Sequence, residues 1–488
     1  MAIASTPSET PLIRRLDLTM LVSVALAARA PAFLAQRHLT FDDGVYGASA
    51  VAMRAGGQPF RDVFSSQGPL HLPLIWIGDL LGLRTVNAPR LSTLLAGLGL
   101  VVVTYLAGRL ISDRAGALLA GGFVALTGSA LWVTAPVSAD GMALFFATLT
   151  VLLVLRWRDD ITVHRAIWLG LAVSATVSVK ALLLPVVLPV ALVLVAHRRW
   201  TPILAGAAAA VGSHLILWLP WGPGDVWEQS YGYHLEATGS RTPGANMAKV
   251  LSTLGDRDLP LLLLLGAVVV GLVAARGVGA RQPTTHASWL TAPDALLLTW
   301  LAGTLVVLLL EHPLWRPHLS HLIPALALLV ARHRPSTRVL TAVLVIALPY
   351  HVVHLWDFVH PAPLRDEAAA TVALVRALPE DALAISDDPG IVWRAGRGTT
   401  PDLVDPSILR IQVGQITTET VLATADRPDV CAVLVRSAER WGSFGALPAG
   451  LVDLGYRAIP ADDPVRVTYL KDDCDPGRRG TATPTPVR

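Results

Sequence analysis

The sequence predicts a mainly α-helical membrane protein, a bundle of about eleven transmembrane helices followed by a C-terminal α/β domain outside the cytoplasm. Three observations lead to this fold class. Hydrophobic residues make up 53% of the 488 residues and charged residues 15%, and the apolar residues form blocks of the length that crosses a bilayer, about 20 residues. Basic residues concentrate in alternate connections between these blocks. Beyond about residue 361 the composition becomes that of a soluble α/β domain.

The chain begins with a polar cytoplasmic tail, residues 1–16, and an apolar run over 18–35. Two interpretations of this run stay open: a retained transmembrane helix, or a signal peptide with a short apolar core and small residues before its cleavage site. Arg29 interrupts the run in its outer third. Its guanidinium either snorkels to the interface or faces a lipid phosphate.

Ten further apolar segments predict the remaining spans. They cover residues 89–108, 115–133, 139–155, 166–179, 181–196, 201–219, 259–275, 290–310, 319–331 and 339–356. The positive-inside rule assigns one set of connections to the cytoplasm, those that carry Arg14, Arg15, Arg109, Arg114, Arg156, Arg158, Arg165, Arg198, Arg199, Arg276, Arg281, Arg332, Arg334 and Arg338. An odd number of spans with a cytoplasmic N-terminus places the C-terminus outside. The transmembrane domain therefore extends over residues 17–360.

The C-terminal part, residues 361–475, is predicted to be an extracytoplasmic α/β domain. Apolar periodicity predicts helices over 366–378 and 412–426 and strands over 382–386, 430–436 and 465–470. Cys431 and Cys474 flank strands and, outside the cytoplasm, form either a disulfide or two unpaired thiols. The end of the chain, 476–488, is rich in Pro, Thr and Gly, which predicts a disordered tail.

Paired carboxylates, Asp42 and Asp43, follow the first apolar run. A carboxylate held near a bilayer is costly, so this pair is a candidate functional site. The alternative is that one of the two caps a short helix that begins near Gly44. Amphipathic helices lying on the membrane surface are predicted near 45–55 and 70–83 in the same loop.

Further polar groups stand where predicted spans meet the external face. Asp140 opens the span at 139–155, either as a functional carboxylate or as a helix cap. Lys180 is an isolated lysine at a predicted external turn, where the positive-inside rule disfavours a basic residue, so we expect it to contact a phosphate. His318 and His321 lie three residues apart and share a helix face. Two imidazoles are too few for a metal site, and one of them capping or packing at the interface is the alternative.

The loop over 37–88 resembles the first external loop of the GT-C glycosyltransferases. Its motifs are Asp-Asp-x-x-Tyr from Asp42, Gly-Gly-x-Pro-Phe-Arg-Asp-Val from Gly56 and Gly-Pro-Leu from Gly68. Members of this family are polytopic enzymes that use polyprenyl-phosphate sugars, among them the protein O-mannosyltransferases and the lipid A aminoarabinose transferases. The likeness extends over about residues 12–360 through the helix count and scattered residues.

Three residues depart from the family pattern. Asp43 stands where the family has a Glu, and Gln67 stands where it has the Lys of a Lys-Pro-Pro sequence. Leu319 replaces the Tyr of a His-Tyr pair that begins a late span. The family keeps its first span, which favours a retained helix over 18–35.

The resemblance implies that the first carboxylate is catalytic, which maps onto Asp42 with Asp43 beside it. It also implies that cationic span ends bind the donor phosphate, and the candidate residues are Lys180, Arg316, His318, His321 and Arg29. Some family members use a divalent metal cation and others none. If a cation is used here, its ligands are expected to be Asp42 and Asp140.

The predicted function is a membrane glycosyltransferase with Asp42 as general base. It moves a hexosyl or pentosyl unit, with inversion, from a polyprenyl-phosphate donor to an extracytoplasmic glycan, lipid or protein. No pool of nucleotide sugars exists outside the cytoplasm, so the donor must arrive attached to a lipid. The net charge of +3, without a basic tract, excludes a nucleic-acid partner.

Two other functions stay open. A polytopic transporter or lipid flippase is the first, although the sequence lacks the internal repeat and midplane charges typical of transporters. The second is a catalytically inactive scaffold with a GT-C-like fold, since Gln67 and Leu319 depart from the family pattern.

Overall fold

The computed structural model describes residues 11–236, 242–276 and 290–474. The chain divides into two compact units. The first, called the helical unit here, comprises Met1–Phe33, Thr93–Leu217 and Gly239–Pro361. The second, called the mixed unit, comprises Leu34–Ser92, Trp218–Thr238 and Ala362–Arg488. The predicted disordered tail at 476–488 and most of the predicted N-terminal tail lie outside the described residues.

Each of the eleven predicted apolar segments contains one helix or two consecutive helices. These helices are Pro11–Leu34, Leu91–Ile111, Arg114–Leu126, Gly128–Thr134, Ala139–Trp157, Val163–Val179, Ala181–Val186, Val187–Ala196, Trp200–Ile216, Pro243–Arg276, Pro293–Leu310, Arg316–Leu322, Ile323–Arg332 and Thr337–Val359. Two of these helices, Ala181–Val186 and Arg316–Leu322, are 3₁₀ helices. Both contain a proline and lead into a following α-helix.

Within the described residues, six helices are long and apolar enough to cross a membrane. They are Pro11–Leu34, Ala88–Ile111, Ala139–Trp157, Trp200–Trp221, Pro293–Leu310 and Thr337–Trp356. A seventh span results if Arg114–Leu126 and Gly128–Thr134, which meet at 58°, count as one. The protein is therefore a multi-pass membrane protein. Val163–Val179 and Ala181–Ala196 are apolar but shorter, so the count of eleven spans stays a prediction.

The bend at Thr127 leaves backbone groups of two helix ends without intrahelical partners. The guanidinium of Arg29 donates to the carbonyl oxygens of Val124, at 3.3 Å, and Ala125, at 2.9 Å. It also donates to Thr134 Oγ1, at 2.9 Å. In a bilayer an unsatisfied backbone group costs several kcal/mol, so a buried arginine stabilises a helix break of this kind.

Two more side chains complete the same bend. His351 Nε2 lies 2.9 Å from the carbonyl oxygen of Leu126, the last residue before the break. On the other side of the break, Asp258 Oδ1 accepts a hydrogen bond from the Ser129 N–H at 3.1 Å. Asp258 itself has non-helical backbone angles and kinks the helix Pro243–Arg276. Polar side chains from three other helices thus replace the missing helical hydrogen bonds.

The mixed unit contains a four-stranded sheet in the order β1-β2-β4-β3. The strands are β1 Leu383–Ser386, β2 Val430–Val435, β3 Tyr456–Pro460 and β4 Val467–Lys471. β1 and β2 are parallel, with Ile385 opposite Val433, and the other pairs are antiparallel. β3 was not predicted, because only its first residue is buried and its alternation is weak. The predicted helix over 412–426 begins at Thr418, after the left-handed Gly414 and the capping Thr417.

Helices surround this sheet and form the rest of the mixed unit. Those before the C-terminal part are Phe41–Arg54, His71–Leu81, Ala88–Arg90, Leu219–Trp221, Pro223–Trp227, Glu228–Gly232 and Tyr233–Glu236. Those of the C-terminal part are Asp366–Arg376, Pro389–Ala395, Pro401–Leu403, Ile408–Gln412, Thr418–Asp426, Trp441–Ser443, Leu447–Asp453 and Asp472–Cys474. Of the two alternatives for the cysteines, the structure has the disulfide, Cys431–Cys474, which joins β2 to the residues after β4.

Candidate active site

A buried polar cluster lies in the helical unit, where we define it as Asp140, Lys180, Glu311, His318 and His321. Asp140 stands in the first turn of the helix Ala139–Trp157. Its carboxylate is fully buried. The cap of that helix is Ser138, whose side chain accepts from the Asp140 N–H. The alternative that Asp140 caps the helix is therefore wrong, and its carboxylate is available for other contacts.

Lys180 reaches two members of this polar cluster. Its Nζ atom lies 2.9 Å from Asp140 Oδ2 and 3.1 Å from His318 Nε2. It follows the helix Val163–Val179, whose last turn gives its N–H a carbonyl partner in Thr176. The Lys180 side chain is only 8% exposed. A buried ammonium group needs a negative charge close by, and the Asp140 carboxylate supplies it.

The two histidines contact carboxylates on different sides of the polar cluster. His321 Nε2 lies 2.7 Å from Asp140 Oδ1, and His318 Nδ1 lies 2.5 Å from Glu311 Oε1. Both histidines belong to the 3₁₀ helix Arg316–Leu322, in which residues three apart eclipse one another, and their rings stack at 5.8 Å. The Glu311 carboxylate stands beside Nδ1 without forming a hydrogen bond to it, and Nε2 of the same ring lies within hydrogen-bond distance of Lys180 Nζ.

The second candidate site is the acidic pair of the mixed unit. Asp42 and Asp43 stand in the first turn of the helix Phe41–Arg54, and Thr40 caps it by accepting from the Asp43 N–H at 3.1 Å. The alternative that an aspartate caps this helix is therefore wrong. Asp43 is fully buried and receives two hydrogen bonds from Arg90, at 3.0 and 2.5 Å. Asp42 is half-buried.

The charge of Asp42 acts on two phenols of the mixed unit, Tyr46 and Tyr233, together with the charge of Asp405. Burial raises the pKa of Tyr46 well above its usual value, and the negative charges of Asp42 and Asp405 raise it further. Burial, followed by the charge of Asp405, likewise raises the pKa of Tyr233. Both phenols therefore keep their protons at neutral pH. Asp405 was not predicted from sequence, because nothing in its local pattern points to Asp42.

Comparisons with known proteins agree with this architecture. A family model for dolichyl-phosphate-mannose-protein mannosyltransferases matches residues 76–219. The fold is similar to that of ArnT from Cupriavidus metallidurans in the apo state, with a TM-score of 0.64, 14% identity, and coverage of 94% of this chain and 98% of ArnT. The chain has the GT-C fold. The resemblance predicted from the acidic loop is confirmed.

Two more solved structures share this GT-C fold. ArnT bound to undecaprenyl phosphate matches with a TM-score of 0.61 and 15% identity, covering 92% of this chain and 97% of ArnT. The oligosaccharyltransferase AglB from Archaeoglobus fulgidus, in complex with an inhibitory peptide and a dolichol-phosphate, matches with a TM-score of 0.54 and 11% identity, covering 95% of this chain and 74% of AglB. No curated protein matches the chain by sequence.

Not all residues predicted to bind the donor phosphate lie in the polar cluster. Lys180, His318 and His321 belong to it. Arg316 is exposed at the start of the 3₁₀ helix. Arg29 is fully buried against the helix break described above, so neither snorkelling nor a lipid phosphate describes its surroundings.

The polar cluster does not fit a divalent cation at Asp140. One carboxylate oxygen of Asp140 faces the ammonium of Lys180, and the other faces His321. A cation at this place would lie against an existing positive charge. Within the described ranges, no group of three or more His, Cys, Asp or Glu side chains is arranged to hold a metal ion.

Glu311 is the member of the polar cluster that sequence reasoning missed. It is the residue after the helix Pro293–Leu310, so it stands at a span end as Asp42 and Asp140 do. The rule that a carboxylate near the bilayer is costly applies equally to Glu311 and could have found it. Its partner His318 is only seven positions further along the chain, beyond the turn at Pro313.

Proposed function

We propose that this GT-C protein is an inverting glycosyltransferase. It transfers a hexosyl or pentosyl unit from a polyprenyl-phosphate donor to an acceptor outside the cytoplasm. The observation that carries the proposal is the buried ammonium of Lys180 between Asp140 and His318, in a fold similar to that of ArnT, which has been solved with undecaprenyl phosphate.

The donor phosphate is bound through Lys180. An ammonium has three N–H donors, and Asp140 and His318 account for two. The third is available to an anionic oxygen, in a charge-assisted hydrogen bond that is stronger than a neutral one. The negative charge of Glu311, 2.5 Å from His318 Nδ1, favours a proton on that nitrogen, so that Nε2 accepts from Lys180. Because these groups are fixed before the donor arrives, they stabilise the charge that develops on the departing phosphate.

Asp42 is the general base. Its neighbour Asp43 is fully buried and accepts hydrogen bonds from Arg90 and from the Leu39 N–H, so we assign proton transfer to the less buried carboxylate. Asp42 takes the proton of an acceptor hydroxyl while that oxygen bonds to the anomeric carbon of the sugar. The bond from this carbon to the phosphate oxygen breaks, and its electron pair leaves with the polyprenyl phosphate. Attack from the opposite face inverts the anomeric centre.

The topology that suits this reaction has eleven spans, with the N-terminus in the cytoplasm and residues 361–488 outside it. Support comes from the arginines of alternate connections, which mark one face as cytoplasmic. Asp42 and the C-terminal sheet then lie on the side where lipid-linked sugars are used. The predicted divalent cation has no part in the proposal, because Asp140 is already paired with Lys180.

The proposal is tested by binding of undecaprenyl phosphate to the purified protein, measured by native mass spectrometry. Lys180→Ala is expected to weaken binding by about tenfold or more, since it removes a charge-assisted hydrogen bond. Lys180→Ala combined with Asp140→Asn avoids an uncompensated buried charge and guards against misfolding. Lys249→Ala is the matched control, because Lys249 donates to the carbonyl of Leu314 and not to the polar cluster. Unchanged binding in the double variant would refute the donor site.

A further inference from the structure

A cleft of about 600 Å³ opens in the helical unit, outside the polar cluster. It lies among the ends of three helices: Leu91–Ile111, Pro243–Arg276 and Ile323–Arg332. Its two walls differ in chemistry. One wall is formed by residues 267–272 and is apolar, and the other is formed by residues 331–335 and carries consecutive basic side chains. Nothing in the proposed glycosyl transfer uses this cleft.

The basic wall is held in place by contacts on its far side. Arg332 Nε lies 3.2 Å from Asp294 Oδ1, and its Nη1 donates to the carbonyl oxygen of Ile111 at 2.9 Å. His333 Nε2 lies 2.8 Å from the same oxygen of Asp294. Two basic residues thus share one carboxylate, and the Arg332 guanidinium is fixed at the edge of the cleft.

Arg334 is held less firmly. It pairs with Asp113 at 3.2 Å, and the two side chains are 36% and 56% exposed. Such an exposed pair contributes little free energy, so Arg334 can exchange its partner for another anion at small cost. The cleft therefore offers one fixed guanidinium and one exchangeable guanidinium.

The apolar wall is continuous with a surface that faces outward from the helical unit. Val269, Val270 and Val273 are 51%, 70% and 64% exposed on the same part of the helix Pro243–Arg276. In a multi-pass membrane protein, such side chains contact acyl chains. A molecule with a charged end in the cleft and an apolar chain along this helix would match both walls.

We propose that the cleft binds an anionic phospholipid, with its phosphodiester against Arg332 and Arg334 and an acyl chain along residues 267–273. Basic pockets between transmembrane helices recognise the head groups of anionic lipids in this way. A soluble phosphate compound would leave the apolar wall unused. Since Arg332 and Arg334 belong to the connections predicted to be cytoplasmic, the lipid would come from the inner leaflet.

The test uses the full-length protein in detergent, incubated with phosphatidylglycerol or phosphatidylcholine and examined by native mass spectrometry. Phosphatidylglycerol is expected to be retained about tenfold or more over phosphatidylcholine, from the attraction of two arginines to an anionic lipid. Arg334→Gln should reduce this preference several-fold. Arg338→Gln is the matched control, because Arg338 is an exposed residue of the same connection and does not line the cleft.

A second pair of variants tests the apolar wall. Gly271 lines the cleft, and a Cβ atom added there would meet no other atom within 4 Å, so Gly271→Phe is designed to place a ring in the cleft. Gly266→Phe is its control, because Gly266 is equally open and lies on the same helix away from the lining. Gly271→Phe should reduce phosphatidylglycerol retention, and Gly266→Phe should not.

Three outcomes would overturn the lipid site. The first is equal retention of the two lipids, as expected if a partner protein or another part of the chain covers the cleft. The second is equal loss in Arg334→Gln and Arg338→Gln, which would indicate only a diffuse surface charge. The third is displacement of the lipid by millimolar inorganic phosphate, which would assign the cleft to a free anion.

Discussion

The Nζ atom of Lys180 lies 2.9 Å from a carboxylate oxygen of Asp140, forty positions away in the sequence, and both side chains are buried. The loss of hydration for two buried charges offsets much of their attraction, so this pair is poor evidence of stabilisation for its own sake. The pair is better explained by its effect on position, because Asp140 holds the Lys180 ammonium in place. Removing either partner leaves an uncompensated charge.

The first prediction concerns the stability of this pair. Lys180→Met should destabilise the protein by about 3–5 kcal/mol, because it leaves the buried Asp140 carboxylate without its cation, with only His321 and the Ser138 hydroxyl beside it. Adding Asp140→Leu should recover much of that loss, since both charges are then absent. Thermal unfolding in detergent measures both effects.

The exposed pair of Arg165 and Asp160 supplies the control. Asp160→Asn should change stability by less than about 1 kcal/mol, as for most surface ion pairs. If Lys180→Met were as mild as Asp160→Asn, the polar cluster would be better hydrated than its burial indicates.

The sequence could predict much of this polar cluster, because charges within apolar segments are conspicuous. Lys180 and His318 were both found as polar exceptions at span ends, and the structure brings them to 3.1 Å. Arg29 was equally conspicuous, but its role depends on a break in another helix about 96 positions away, which has no local signal. Glu311 follows the last residue of an apolar helix, and its pairing with His318 depends on the turn between them, which has no local signal.

The sequence did not identify which residue caps two of the helices. The sequence allowed Asp42, Asp43 or Asp140 as caps, whereas Thr40 and Ser138 take these positions. Aspartate, serine and threonine cap helices almost equally well, so composition alone does not choose between neighbours. The choice decides which carboxylates remain available for other contacts, and that depends on tertiary structure.

The second prediction tests the orientation in the membrane. A reporter that fluoresces only in the cytoplasm should be dark when fused after Arg488, because eleven spans carry the C-terminus outside. The same reporter fused after Pro335, in a basic connection, should be bright. A bright signal from both fusions would mean an even number of spans before the C-terminal sheet.

The third prediction concerns pH and Asp387, which follows β1. Burial raises the pKa of Asp387 to about 6, although the N–H groups of Ser437 and Arg436 act in the opposite direction. The folded state therefore binds this proton more tightly than the unfolded state. Its contribution to stability is complete below about pH 4 and is lost as the pH rises through 6.

The size of this effect is up to about 3 kcal/mol, from a shift of about two pKa units. Asp388 does not interfere in the same window. Burial raises its pKa, but the larger combined effect of His38 and Arg440 lowers it below its usual value, opposite to the shift of Asp387. Asn resembles the protonated carboxyl and does not titrate, so melting temperatures of wild type and Asp387→Asn should lie close at pH 4 and separate as the pH rises to 7, with wild type becoming the less stable of the two. A constant difference across that range would contradict the assignment.

The last prediction separates the two members of the acidic pair. Asp42→Asn removes a proton acceptor and changes little volume, so sugar transfer should fall by about 100- to 10,000-fold while binding of undecaprenyl phosphate is retained. Asp43→Asn removes the charge opposite the fully buried Arg90, so it should lower the melting temperature. The activity per folded molecule of Asp43→Asn should stay much closer to that of wild type.

The assay measures transfer from a polyprenyl-phosphate sugar to endogenous acceptors in membranes, with donor binding measured separately. If Asp42→Asn were fully active, Asp42 would not be the base. If both variants lost only stability, the loop would have a structural role, as expected of an inactive scaffold.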